Sequence, residues 1–215
     1  MTQILAGITS EGIMVATDSM ATEFNSQGEG RRFPVDKLFS VGSYAFIVSG
    51  GMGISVELSL RFKRYAEGRE LLGIEAMIPV AGAFLSGQLN EVLQASLPME
   101  NGPDEVRRVY FLLGGYSFRS VGNPYQFALW GSEAGEVLLK RIQVGASVAI
   151  PRSLSAEVRL NRMSAERRPL RELLDFAHEF LAKLAASDPD VGPPFRFGVV
   201  TSSGFRLVEP ARLGS

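Results

Sequence analysis

The order of apolar periodicities along the chain predicts an α+β fold. Three observations carry this. Short period-two runs open the sequence, a long stretch suited to helices spans roughly 54–97, and strand-like runs return before a last helix and a closing hairpin.

The first strand is expected at 2–8, where Ile4, Ala6 and Ile8 alternate. The turn Ser10-Glu11-Gly12 leads into a second strand at 12–17, which stops at Asp18. Residues 20–36 are polar and Gly-rich and read as a loop. "KLFSVG" and "YAFIVSG" read as two strands across a tight Gly-Ser turn, and "GGMG" (50–53) breaks the pattern. A helix is expected from Ile54 to about Leu72. A second runs from Ile74 to about Leu97, with Ile78, Phe84, Leu85, Leu89 and Leu93 as its apolar stripe. A loop at 98–108 precedes three strands, at 109–116, 125–131 and 136–145, with turns between them, the second being "SEAGE" (132–136). Residues 152–170 read as partly helical. The clearest helix covers 168–187, with Pro169 in its first turn and Leu173, Leu174, Phe176, Ala177, Phe180, Leu181 and Leu184 apolar. "DPDVGPP" ends it, and a hairpin closes around Ser202-Ser203-Gly204. No repeat or linker interrupts this order, so a single domain, 1–215, is expected.

The 215 residues are 46% hydrophobic and 21% charged, enough for a sizeable core. A net charge of −1 gives no whole-chain field for nucleic acid or an anionic membrane. The absence of cysteine excludes disulfides, thiolate metal sites and a cysteine nucleophile. With one histidine, His178, a zinc site is not expected, and neither is a cofactor, since no Gly-rich nucleotide motif occurs. No window reads as a secretory signal or a membrane span, so a cytoplasmic location is expected.

Four residues could act together. If Met1 is removed, Thr2 carries a hydroxyl and a free α-amine whose ordinary pKa is about 7.7–8.0, suited to accept that hydroxyl's proton. Taken alone, Thr2 reads more simply as the second residue of a strand. Asp18 ends one strand and Lys37 opens another. A lysine ammonium near Thr2 would ease alkoxide formation, and a carboxylate would hold it in place. The plainer reading is an ion pair at a sheet edge. "SGGMG" (49–53) would let backbone approach a substrate closely and offer an N–H to an oxyanion, or it is simply a strand-to-helix turn.

In combination these residues resemble the proteasome β-type family of N-terminal-nucleophile hydrolases. "ATDSMAT" (16–22) stands where that family has its strand-ending aspartate, Lys37 in "DKLFSV" stands at its lysine, and "SGGMG" occupies its oxyanion turn. The resemblance implies a four-layer αββα sandwich of two antiparallel sheets between helix layers. It implies a threonine-type peptidase working through an acyl-enzyme on Thr2. Asp18 and Lys37 would tune the site, the Gly51 N–H would hold the oxyanion, and Asp188 would match a late aspartate. Peptides or unfolded proteins would be the substrates, and a homo-oligomeric ring or related assembly would enclose the sites. Any energy-dependent unfolding would need a separate ATPase.

Two departures bear on activity. Ala146 in "VGASV" stands where the family places a serine, with Ser147 one residue on, and Val191 fills a second serine position. A non-catalytic assembly subunit is therefore a second reading. An amidase of the same chemistry acting on a small molecule is a third.

Overall fold

The computed structural model describes residues 2–24, 27, 29–95, 108–132, 136 and 138–209. Met1, most of the expected 98–108 loop and the centre of the "SEAGE" turn lie outside these residues. The chain opens with β1 (Ile4–Ile8) and β2 (Ile13–Thr17). Almost every side chain of the pair is buried, because alternate residues face two different apolar layers. Their turn also supports a distant helix. Glu11 Oε2 accepts the Leu170 N–H at 2.9 Å, satisfying a donor at a helix start whose Pro169 supplies no side-chain cap.

After β2 come β3 (Met20–Phe24), β4 (Gly30–Pro34), β5 (Leu38–Val41) and β6 (Ala45–Gly51), then the helices α1 (Ile54–Gly68) and α2 (Ile74–Ala95). β7 (Val109–Tyr116), β8 (Tyr125–Gly131), β9 (Lys140–Ile142) and β10 (Ser147–Ile150) follow, then α3 (Leu154–Ala165), α4 (Leu170–Ala185), β11 (Arg196–Thr201) and β12 (Gly204–Val208). One five-stranded sheet has the order β10-β1-β2-β11-β12 and another β5-β6-β7-β8-β9; β3 and β4 pair only with each other.

The expected four-layer αββα sandwich of two sheets is corrected by this arrangement. Among the described residues twelve strands form three antiparallel sheets, against four helices, so the architecture is not simply two sheets between helix layers. The additional sheet lies in the segment read as a loop. Met20 pairs with Pro34 and Phe24 with Gly30, but β4 is exposed along its whole length, so no apolar alternation announces it. The expected strand 136–145 is also corrected. Of its described residues only Lys140–Ile142 pairs with β8, after which the chain crosses to the other five-stranded sheet, where β10 pairs with β1.

Three apolar clusters hold these elements. Ile4, Ala6, Ile13 and Val15 of the first five-stranded sheet meet Phe46, Val48, Leu112 and Phe127 of the second. Leu58, Phe62, Met77 and Leu85 of α1 and α2 cover the other face of the second sheet. Leu160, Leu173, Ala177 and Leu181 of α3 and α4 cover the other face of the first. Burying a side chain of this size contributes about 1.5–3 kcal/mol.

The two five-stranded sheets are joined at one end by main chain. The Phe205 N–H donates to the Ser43 carbonyl at 2.7 Å. Rings of Tyr44, Tyr116, Phe118 and Tyr125 cluster there. β6 runs from this end, at Ala45, to Gly51 at the opposite one, a span of about 20 Å.

Candidate active site

The opposite end carries the charged residues. Beyond the last β2 pair, Thr17 with Ile4, Asp18 lies opposite Gln3. The Asp18 N–H donates to the Gln3 carbonyl at 3.2 Å, while the Gln3 N–H donates to Asp18 Oδ1 at 2.8 Å. A carboxylate thus takes the place of a main-chain acceptor. Its Oδ2 accepts the Met20 N–H at 2.9 Å. The N–H held by Asp18 belongs to the Thr2–Gln3 peptide, so the carboxylate lies within about 5 Å of the Thr2 Cα.

Lys37 enters from the other sheet, one residue before β5. Its Nζ donates to Asp18 Oδ1 and Oδ2 at 3.2 and 3.1 Å and to the Met20 carbonyl at 2.6 Å. Asp18 is 0% and Lys37 3% exposed, so this is a buried ion pair with hydrogen bonds on both partners. Burial holds the Lys37 pKa below its ordinary 10.5, while the charge and hydrogen bonds of Asp18 restore part of the loss. In the window between the lowered value and 10.5, the unfolded chain keeps a proton that the folded chain has shed. The contribution of this group to stability therefore rises with pH across the window, and below it the burial penalty is fully present. Unfolding free energies measured in urea from neutrality upward are expected to show this rise. Lys37→Met is expected to flatten it.

Thr2 is half-buried and packs on Gly50: a Cβ at Gly50 would sit 3.3 Å from Thr2 Cβ and 3.4 Å from its Cγ2. Gly50 thus packs beneath Thr2, next to Gly51, whose N–H is the expected oxyanion donor. Gly51 has a different demand. Its φ is +93°, and a Cβ there would lie 1.8 Å from the Arg108 carbonyl oxygen, which accepts the Met52 N–H at 2.9 Å. Glycine is required at Gly51 by backbone, whereas at Gly50 a side chain would be in tight contact with Thr2 and Ile4. "GG" signals the junction in sequence but does not say which residue meets Thr2.

Asp188 lies after α4. Its Oδ1 accepts the Asp190 N–H at 2.9 Å, and its main chain bonds Leu184 and Val191, so these contacts are all local. The turn docks beside the charged pair, because the Ser19 N–H donates to the Gly192 carbonyl at 3.3 Å and Arg32 pairs with Asp190 at 3.2 Å. Thr2, Asp18, Lys37 and Gly50 are thus brought together, with Gly51 adjacent. Asp188 reaches them only through the Ser19 contact of its turn. At the departures, Val191 is buried as an apolar side chain, and Ser147 donates its hydroxyl to the Glu157 carbonyl at 3.1 Å, toward α3. Met20 and Gln3, whose main chain completes the ion pair, carry no side-chain signal that sequence could have used. His178 is exposed, its ring beside Phe195 and Phe197.

Two cavities, of about 410 Å³ beside Phe127, Arg141 and Val144 and of about 270 Å³ beside Glu11, Arg171 and Arg206, are lined by none of the predicted site residues. Among the described residues no group of three or more His, Asp or Glu side chains could hold a metal ion. No helix there is long and apolar enough to cross a membrane. The chain matches no protein-family model, and no curated protein matches it.

Proposed function

We propose that this protein is an N-terminal threonine hydrolase cleaving peptide bonds through an acyl-enzyme on Thr2, once Met1 is removed. The observation that carries the reading is the buried Asp18–Lys37 pair built onto the N–H of the Thr2–Gln3 peptide. Burying two charges is costly, and here it fixes the backbone of the residue that would act.

In the proposed reaction Thr2 Oγ1 attacks the scissile carbonyl carbon and its proton passes to the Thr2 α-amine. The carbon–nitrogen bond breaks as that proton moves to the leaving amine, and water then hydrolyses the Thr2 ester. An N–H at the Gly50–Gly51 turn would face the oxyanion. Peptides or unfolded proteins are the proposed substrates. A homo-oligomeric assembly, a separate unfolding ATPase and a cytoplasmic location belong to the same proposal.

One finding favours a second reading, a non-catalytic assembly subunit. Val191 offers no hydroxyl and that of Ser147 is committed to Glu157, so neither supports the α-amine.

Intact mass of the protein purified without an N-terminal tag tests the first reading. The expected mass is short by one methionine, with peptide cleavage in the same sample. Cleavage by protein that retains Met1 would reject a free-amine mechanism. Loss of Met1 without cleavage of any peptide would favour the assembly subunit.

A further inference from the structure

We propose that the cavity of about 270 Å³ between α4 and the β11–β12 hairpin binds a small aliphatic monocarboxylate, with its carboxylate on Arg206 and Arg171 and its alkyl chain on an apolar floor. No residue of the Thr2 site lines this cavity, and the proposal does not depend on the hydrolase reading.

β11 and β12 pair with Val199 opposite Arg206 and Phe197 opposite Val208. Residues directly opposite on antiparallel strands share a face. Phe197, Val199 and Val208 pack in the cluster under α3 and α4, so this is the helix-covered face of the sheet. Phe205, one residue before Arg206, points the other way and joins the cluster between the sheets. β12 is the last strand of its sheet, where the helix layer ends. The first turns of α4 stand beside it. Leu170, Arg171 and Leu174 line the cavity on the helix side, and Val199, Arg206 and Val208 on the strand side.

Arg206 is exposed and, among the described residues, has no ion-pair or hydrogen-bond partner. Arg171 has only Asp175, at 4.0 Å. Glu11 is the one carboxylate on the lining, and its Oε2 is held by the Leu170 N–H at 2.9 Å. Two guanidiniums against one carboxylate leave a single positive charge, which suits a monoanion. A dianion would meet stronger repulsion from Glu11. A guanidinium fork takes a carboxylate through two parallel N–H···O bonds. An inorganic anion would leave the leucine and valine floor untouched, whereas an alkyl chain loses water against it. The volume is near the low end for small-molecule sites, about 300 Å³ and upward, so the ligand is small.

The test titrates sodium hexanoate into the full chain and reads affinity by saturation-transfer NMR. Hexanoate is expected to bind at least about tenfold more tightly than acetate, which lacks the chain. It should also bind about tenfold more tightly than hexan-1-ol, which lacks the charge. Arg206→Gln should weaken hexanoate about tenfold, and Arg206→Lys, which keeps the charge without the fork, should fall between. Arg171→Gln should weaken it as well, and it serves should the Arg206 variant not fold. Acetate or hexan-1-ol bound as tightly as hexanoate, an affinity unchanged in Arg206→Gln or Arg171→Gln, or no saturable binding to the parent protein overturns the proposal. Hexylphosphonate bound as a dianion about tenfold more tightly than hexanoate would assign a different ligand class and overturn it too.

Discussion

Thr2→Ala is expected to lower peptide cleavage by at least about 10³-fold while leaving the melting temperature nearly unchanged. Loss of a covalent nucleophile typically costs this much or more, and what survives comes from binding and oxyanion contacts. Stability changes little because Thr2 is only half-buried and alanine keeps the Cβ that packs on Gly50. The variant also keeps an α-amine, so the hydroxyl alone is tested. Thr2→Ser restores the hydroxyl but drops the methyl that packs on Gly50, and it is expected to recover part of the activity. Initial rates with a fluorogenic peptide measure both variants. Undiminished turnover in Thr2→Ala would falsify the catalytic reading.

Lys37→Ala is expected to destabilise the fold by about 3–5 kcal/mol, because it leaves Asp18 buried and charged without a partner. In a protein of this size each kcal/mol shifts the melting temperature by about 2–4 °C, so a fall of roughly 10 °C should follow. Asp18→Asn combined with Lys37→Met removes both charges and keeps an acceptor for the Gln3 N–H, so it should lie closer to the parent protein. Urea denaturation of the three proteins measures the difference. A loss under about 1 kcal/mol in Lys37→Ala would show that water reaches Asp18 and that the pair is not dry. Activity lost in this variant has to be read against its folded fraction.

The strands around the nucleophile were legible because their apolar runs are bounded by turn residues. β1, β2, β5 and β6 fall within or beside their expected positions, as do α1, β7 and β8. α4 is read correctly from its apolar stripe, although its start is capped by Glu11 from far away in sequence. The β3–β4 pair was hidden because Gly30, Arg31, Arg32 and Pro34 are exposed and bury nothing that would mark a period. β10 was hidden because "SVAI" follows β9 closely, and only the tertiary fold sends it to another sheet. At the site, Asp18 and Lys37 stood out as charges at the ends of apolar strands, and the structure pairs them. The choice of Gly50 under Thr2 depends on how β6 faces β1, a relation between sheets that no local pattern records.

The main-chain bond from Phe205 to Ser43 has a mechanical consequence. It pins the two sheets at one end, so any tilt between them acts as a lever whose long arm reaches Thr2 and Gly50. Over about 20 Å, one degree of tilt moves the far tip by about 0.35 Å. A reacting constellation tolerates about 0.5 Å, so less than two degrees consumes the whole allowance. At the long end that tilt is resisted by the apolar layer between the sheets and by a four-carbon lysine stem reaching from one sheet to a carboxylate on the other. Lys37 is thus a strut between the sheets beside Thr2, and a change at the Ser43 corner would be felt most at the opposite tip.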